Sequence, residues 1–161
     1  MTGKTHIIGG IATSLAFAQI SNYDPVLLVG AGVVGALIPD ICHGGSKIGR
    51  TFPLISKVVQ VLFGHRTFTH SLLFLFLIGA LLNMISINES IVAGMLVGIA
   101  SHLILDMATK NGIKLLFPIK ITVRFPMTTR TGGTVEHIVF VALSLLSVYF
   151  GYDVVGDIVF R

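Results

Sequence analysis

Residues 90–107 read SIVAGMLVGIASHLILDM. The stretch is 18 residues long and holds only two ionisable groups, His102 and Asp106. About 20 apolar residues of helix cross a bilayer core, so it reads as a membrane helix. His102 and Asp106 stand four apart and share one helix face. Gly94 and Gly98 continue that face as a small-xxx-small pair, which lets a neighbouring helix approach closely. The face therefore turns into a bundle and not toward lipid. An ionisable pair inside a membrane helix is costly and marks a functional site by default. The plain alternative is a His–Asp hydrogen bond that only holds helices together.

Four further apolar stretches cover residues 5–20, 25–39, 68–87 and 135–152, each nearly free of Lys and Arg. Over all 161 residues, 53% are hydrophobic and 11% charged, and the mean hydropathy is +0.92. Soluble domains are about 25% charged, so a water-facing globule is excluded, as is a disordered chain. The expected fold is one domain, 1–161: an all-α integral membrane protein with five transmembrane helices, or four if the short first or second stretch is re-entrant. Ala31 and Gly35 form a second small-residue pair. The start resembles a signal peptide up to Ala16-Phe17-Ala18, but Gly9, Gly10, Thr13 and Ser14 interrupt the run and more apolar segments follow. It reads as a retained first helix. A single cysteine, Cys42, excludes an internal disulfide framework.

With five spans, the N-terminus and the loops 40–67 and 108–134 share one side. That side holds ten of the eleven Lys and Arg residues, leaving only Arg161 on the other. Basic loops stay in the cytoplasm, so the N-terminus and both loops are expected inside. The pI near 9.5 then reflects topology and contact with anionic lipid, and no nucleic-acid partner is expected. Residues 47–63 suit an amphipathic helix lying on the inner surface, weakened by Gly49 and Pro53. Residues 115–125 alternate loosely between the breakers Pro118 and Pro126 and read as a short hairpin or extended flap.

All six histidines fall on or near that same side, together with Asp40, Asp106 and Glu136. His6, Asp40, His43, His65, His70, His102 and Asp106 are the candidate metal ligands. One zinc takes three or four protein ligands, so the set suffices for two or more ions. Imidazole with carboxylate suits zinc, manganese or iron; zinc is favoured, with manganese as the alternative. Arg66, Thr69 and Ser71 open the third helix. An Arg at a helix start can grip a phosphate, while the hydroxyls can equally cap the helix. Glu136 can ligate metal or act as a general base, or answer the helix dipole alone. Cys42 is either a soft ligand or a packed thiol.

Three motifs carry a family resemblance: Pro39-Asp40-x-x-His43, Gly64-His65-Arg66-x-x-Thr69-His70-Ser71, and Ser101-His102-x-x-x-Asp106-x-x-Thr109-x-x-Gly112. On these the chain resembles the YdjM family of bacterial inner-membrane proteins, described as membrane-bound metal-dependent hydrolases, and above all its short Bacillus-type members. The likeness runs from Thr5-His6 to Glu136. Some relatives read P-D-x-D-H, and Cys42 stands here where their second Asp falls. A looser similarity runs to the all-helical zinc phospholipase C group, at the level of fold analogy.

The resemblance implies a metal-dependent hydrolase of the bacterial cytoplasmic membrane, with its site on the cytoplasmic side. The expected reaction is cleavage of a phosphoester, a phospholipid or an isoprenoid phosphate, by a metal-activated water. Asp106, Arg66 and Glu136 are the expected catalytic residues. Two other readings stay open. One is a metal-ion or proton-coupled transporter, although the outer halves of the helices offer little besides Asn83 and Ser86 to continue a path. The other is a non-catalytic membrane protein whose metal site staples short helices together.

Overall fold

The apolar stretches become helices in a computed structural model that describes residues 1–64 and 66–159. In chain order they are α1 (Gly3–Ala18), α2 (Pro25–Gly35), α3 (Lys47–Thr51), α4 (Pro53–Phe63), α5 (Leu72–Met84), α6 (Glu89–Met107) and α7 (Thr134–Val159). Two 3-10 turns join them: Ile38–Cys42 prolongs α2, and Phe68–His70 leads into α5. No strand is formed among the described residues.

Local chemistry sets the helix starts. Asp24 accepts a hydrogen bond from Leu27 N at 2.8 Å, with Pro25 in the first helical position of α2. Asn88 caps α6 through Ser90 N at 2.9 Å, and Ser71 caps α5 through Phe74 N at 3.2 Å. Each cap satisfies an amide that the helix itself leaves unpaired.

By length and composition, three segments can cross a membrane: Pro25–Cys42, Glu89–Met107 and Thr134–Val154. α1 and α5, with 16 and 13 residues, reach about 24 and 20 Å at 1.5 Å per residue, short of a core about 30 Å thick. The run 68–87 yields so short a helix for two reasons. Its first residues are spent on the 3-10 turn before the Ser71 cap, and Ser86 takes a left-handed backbone (φ 51°) just past the end.

The surface helix expected over 47–63 is broken in two. Proline disfavours helical backbone in the residue before it, and Phe52 accordingly sits at φ −124°, ψ 67° between α3 and α4. Leu54, Val58, Val61 and Leu62 on α4 are exposed, as expected of a helix lying on lipid. The expected flap is no hairpin. Ile113 and Val123 exchange two backbone hydrogen bonds (3.0 and 2.8 Å), and the returning chain is tied to the end of α6 by Phe125 N to Met107 O (3.0 Å) and Thr129 N to Ala108 O (2.8 Å).

α1, α2 and α6 form the centre, with α7 against α1 and α5 against α6. α2 and α6 touch backbone to backbone. A Cβ on Gly94 would collide with the Leu28 carbonyl, one on Gly98 with the Gly32 carbonyl and Ala36 N, and one on Gly35 with the backbone of Met95. Gly10 of α1 meets the same two residues of α2, Gly32 and Ala36. The outward faces of α5 and α7 stay apolar and exposed, including Phe76, Leu81, Leu145, Val148 and Tyr152.

Gly30 has open space around it. Gly30→Ala should therefore be neutral or stabilise by up to about 1 kcal/mol, the helix propensity gain. Gly98→Ala, against fixed backbone, should cost about 1–3 kcal/mol. Unfolding in mixed micelles titrated with SDS and followed by circular dichroism measures the difference.

Candidate metal centre

His102 and Asp106 are fully buried on the inner face of α6. The ring orientation of His102 is fixed from α2: its Nδ1 lies 2.7 Å from the Ala36 carbonyl oxygen. A carbonyl only accepts, so Nδ1 carries the hydrogen and donates. The neutral ring then keeps its lone pair on Nε2, which points inward. This is how a ligating histidine is commonly held from behind.

Three other segments converge on that nitrogen. His70 Nε2, from the turn before α5, lies 3.1 Å away. Asp40, from the turn after α2, places Oδ1 at 3.9 Å from His102 Nε2 and 3.7 Å from His70 Nε2. Asp106 Oδ2 lies 3.8 and 3.5 Å from the same two nitrogens. His6 of α1 stacks on His102 with ring centroids 3.7 Å apart. Its Nε2 approaches Asp106 Oδ1 at 3.3 Å but out of hydrogen-bonding line, and neither of its ring nitrogens has a hydrogen-bond partner. Two triads meet the distances a shared cation needs: His6, Asp40, His102 and His70, His102, Asp106.

Unpaired buried nitrogens cost free energy, and two imidazole nitrogens face each other at the centre of the group. A divalent cation would satisfy both conditions. The donor set is three imidazoles and two carboxylates, which suits zinc, manganese or iron. Cys42 lies behind His70, with Sγ 3.9 Å from Nδ1 and not from Nε2. Thr69 Oγ1 sits 3.1 Å from the same Nδ1, so Thr69 orients His70.

The remaining sequence candidates have other places. Arg66, in a left-handed backbone (φ 59°), pairs through Nη2 with Asp106 Oδ2 at 3.0 Å and donates through Nη1 to Thr109 Oγ1 at 3.0 Å. Ser71 uses its hydroxyl to cap α5 and to reach the Phe68 carbonyl at 2.6 Å. His43 is exposed on the turn beyond Asp40 and lies outside the two triads. His65 lies outside the described residues.

Glu136 is buried, but neither of its oxygens is spare. Oε1 accepts from Thr2 N and Thr5 Oγ1, both at 2.6 Å, and Oε2 accepts from Gly132 N at 2.7 Å. It fastens the start of α7 to the start of α1, which carries His6. Three participants escaped sequence reasoning. The Ala36 carbonyl leaves no trace in a sequence. Thr109, buried and donating to the Asp106 carbonyl at 2.7 Å, stood in the third motif without an assigned role. The α-amino group of Met1 contacts Asp106 Oδ1.

The residues that converge, apart from His6, come from the three sequence motifs, and comparison with known proteins matches nearly the whole chain. The model of a family described as YdjM inner membrane protein matches residues 1–156. The chain belongs to the YdjM family. YvsG of Bacillus subtilis (strain 168) is 55% identical over 152 residues, covering 94% of this chain and 95% of its own. The inner membrane protein YdjM of Escherichia coli (strain K12) is 33% identical over 162 residues, covering 92% of this chain and 82% of its own. Its counterpart in Shigella flexneri gives the same values. No solved structure matches. The chain is thus a helical membrane protein of an inner-membrane family, with buried His and Asp groups able to hold a metal ion.

Two outcomes follow from this geometry in this YdjM-family chain. Imidazole must lose its proton to ligate. Bound metal should therefore be lost on acidification, as protons compete for the imidazoles, and return on neutralisation; metal content after dialysis at stepped pH reads this. Glu136→Ala removes the acceptor shared by three donors and should cost on the order of 1–3 kcal/mol, with Glu136→Gln recovering part of the loss, as measured by thermal unfolding in detergent.

Proposed function

We propose that this chain is a metal-dependent hydrolase of the bacterial cytoplasmic membrane, acting on a phosphoester at the cytoplasmic face. One observation carries the reading: buried His6, His70 and His102 converge with Asp40 and Asp106 from four separate segments, with both His6 nitrogens unsatisfied. A divalent ion held there would supply Lewis acidity and lower the pKa of a coordinated water from 15.7 toward about 7.

The chain's own groups divide the remaining work. Ala36 and Thr69 hold His102 and His70 in orientation. Arg66 balances the buried charge of Asp106. Asp40 is the open member of the group, with 17% of its side chain accessible against 0–1% for the other four. It is placed to take the proton of the attacking water as the water oxygen bonds to phosphorus, and to return that proton to the departing alcohol oxygen as the ester P–O bond breaks. Glu136 positions α1 and α7 and is not assigned a proton.

The ligands come from four segments, so a metal here would also staple the bundle, and a purely structural site is the second reading. Elemental mass spectrometry on the purified protein in mild detergent, beside His102→Ala and Asp106→Ala, tests both. At least one equivalent of zinc or manganese is expected in the wild type and less than a tenth of that in the variants. Hydrolysis of phosphatidic acid or a prenyl phosphate should fall at least 100-fold in the variants. No metal after supplementation would sink the proposal. Metal without turnover, and chelator-induced unfolding, would leave the structural staple.

A further inference from the structure

Only at Asp40 does the buried group open measurably toward a neighbouring space. A cleft of about 660 Å³ adjoins it, with Asp40 in its wall, between the starts of α1 and α7 and the turn 43–48. That volume is in the range of a small-molecule site. Its polarity is ordered along the helix axes. On one wall Leu37 is followed three residues later by Asp40; on the other, Phe140 lies one turn deeper in α7 than Glu136. Both walls therefore run from apolar on the membrane side to polar at the loop end, and Ile48 adds to the apolar part.

Of the charged groups that line the cleft, the two carboxylates are already engaged, while two ammonium groups stand outside any ion pair among the described residues. Asp40 faces His70 and His102, and both oxygens of Glu136 accept hydrogen bonds from the backbone and from Thr5. Lys4 and Lys47 also line the cleft, are exposed, and take part in no ion pair among the described residues. A space that combines two ammonium groups outside any ion pair among the described residues with the apolar side chains of Leu37, Ile48 and Phe140 fits an anionic amphiphile.

We propose that this cleft binds a single-chain amphiphile with a phosphate head, the head held by Lys4 and Lys47 beside Asp40 and the chain lying along Leu37, Ile48 and Phe140 toward the bilayer. For what becomes of the ligand this rests on the hydrolase reading; for its binding it does not. Phosphate reached through lipid and free phosphate share the same head chemistry, and the apolar wall selects the lipid form.

The test is equilibrium binding of radiolabelled hexadecyl phosphate to the full chain in a non-ionic maltoside, with inorganic phosphate and hexadecanol as competitors. One equivalent should bind. Each competitor should need at least a 100-fold higher concentration than unlabelled hexadecyl phosphate to displace it. Lys4→Gln with Lys47→Gln should weaken binding at least tenfold with metal content unchanged, whereas Lys57→Gln and Lys120→Gln, basic positions outside the cleft, should stay within twofold.

Displacement by inorganic phosphate alone at similar concentration would make this a free-anion site, and displacement by hexadecanol an apolar pocket. Equal losses in the control variants would mean general surface charge. Any of these overturns the inference while leaving the metal centre intact. Conversely, tight binding that depends on Lys4 and Lys47 in a protein without metal or turnover would uphold the cleft and remove the hydrolase.

Discussion

Where α2 crosses α6 the two backbones lie in contact, because Gly32, Gly35, Gly94 and Gly98 offer no Cβ to hold them apart. Lipid tails are as apolar as the side chains they touch, so helix association in a membrane relies on close packing and interhelical hydrogen bonds. The site follows from that approach. It brings the Ala36 carbonyl onto His102 Nδ1, and His102 is the residue the two candidate ligand triads share. A side chain at Gly98 would push on Ala36 N, one peptide from the group that orients the histidine. Packing and chemistry are thus one arrangement seen at two points along the same pair of helices.

Around that pair the structure collects polar groups that an apolar setting penalises heavily when unpaired. Asp106 illustrates the scale of the arrangement. Its carboxylate meets His6, His70, Arg66 and the Met1 amine, and Thr109 donates to its backbone carbonyl. These contacts give polar partners to a carboxylate enclosed away from water. The open edge at Asp40 is where the same enclosure gives way to a cleft with a charged end and an apolar end.

Much of this was readable from local spacing. The i,i+4 pair of His102 and Asp106 and the Gly94/Gly98 stripe lie on a single helix, so helical periodicity alone put them on one inward face. The helical membrane class followed from composition. His6, Asp40 and His70 join them through contacts between residues more than 30 positions apart, for example His70 with His102 and His102 with Ala36, and spacing along the chain is silent on such pairs. Their shared side of the membrane made convergence an expectation, and the family motifs gave it shape. What the residue types hid was role. A buried glutamate at a helix start looks the same whether it ligates, takes a proton or ties down amides, and only the three donors around Glu136 distinguish the cases. The surface helix was misjudged in length because Pro53 acts through the residue before it, and α5 because Ser71 stops the helix from beginning earlier.

The bond from Glu136 to Thr2 joins residues 134 positions apart, and it has a bearing on how the molecule comes into being. A ribosome adds about 5–20 residues per second, so α1 waits for on the order of ten seconds before the helix that pins it has been made. During that interval α1 has only the earlier helices to pack on, through contacts such as Gly10 with Gly32 and His6 with His102. The tie at the start of α1 is therefore made last, after every segment that carries a candidate ligand has been synthesised.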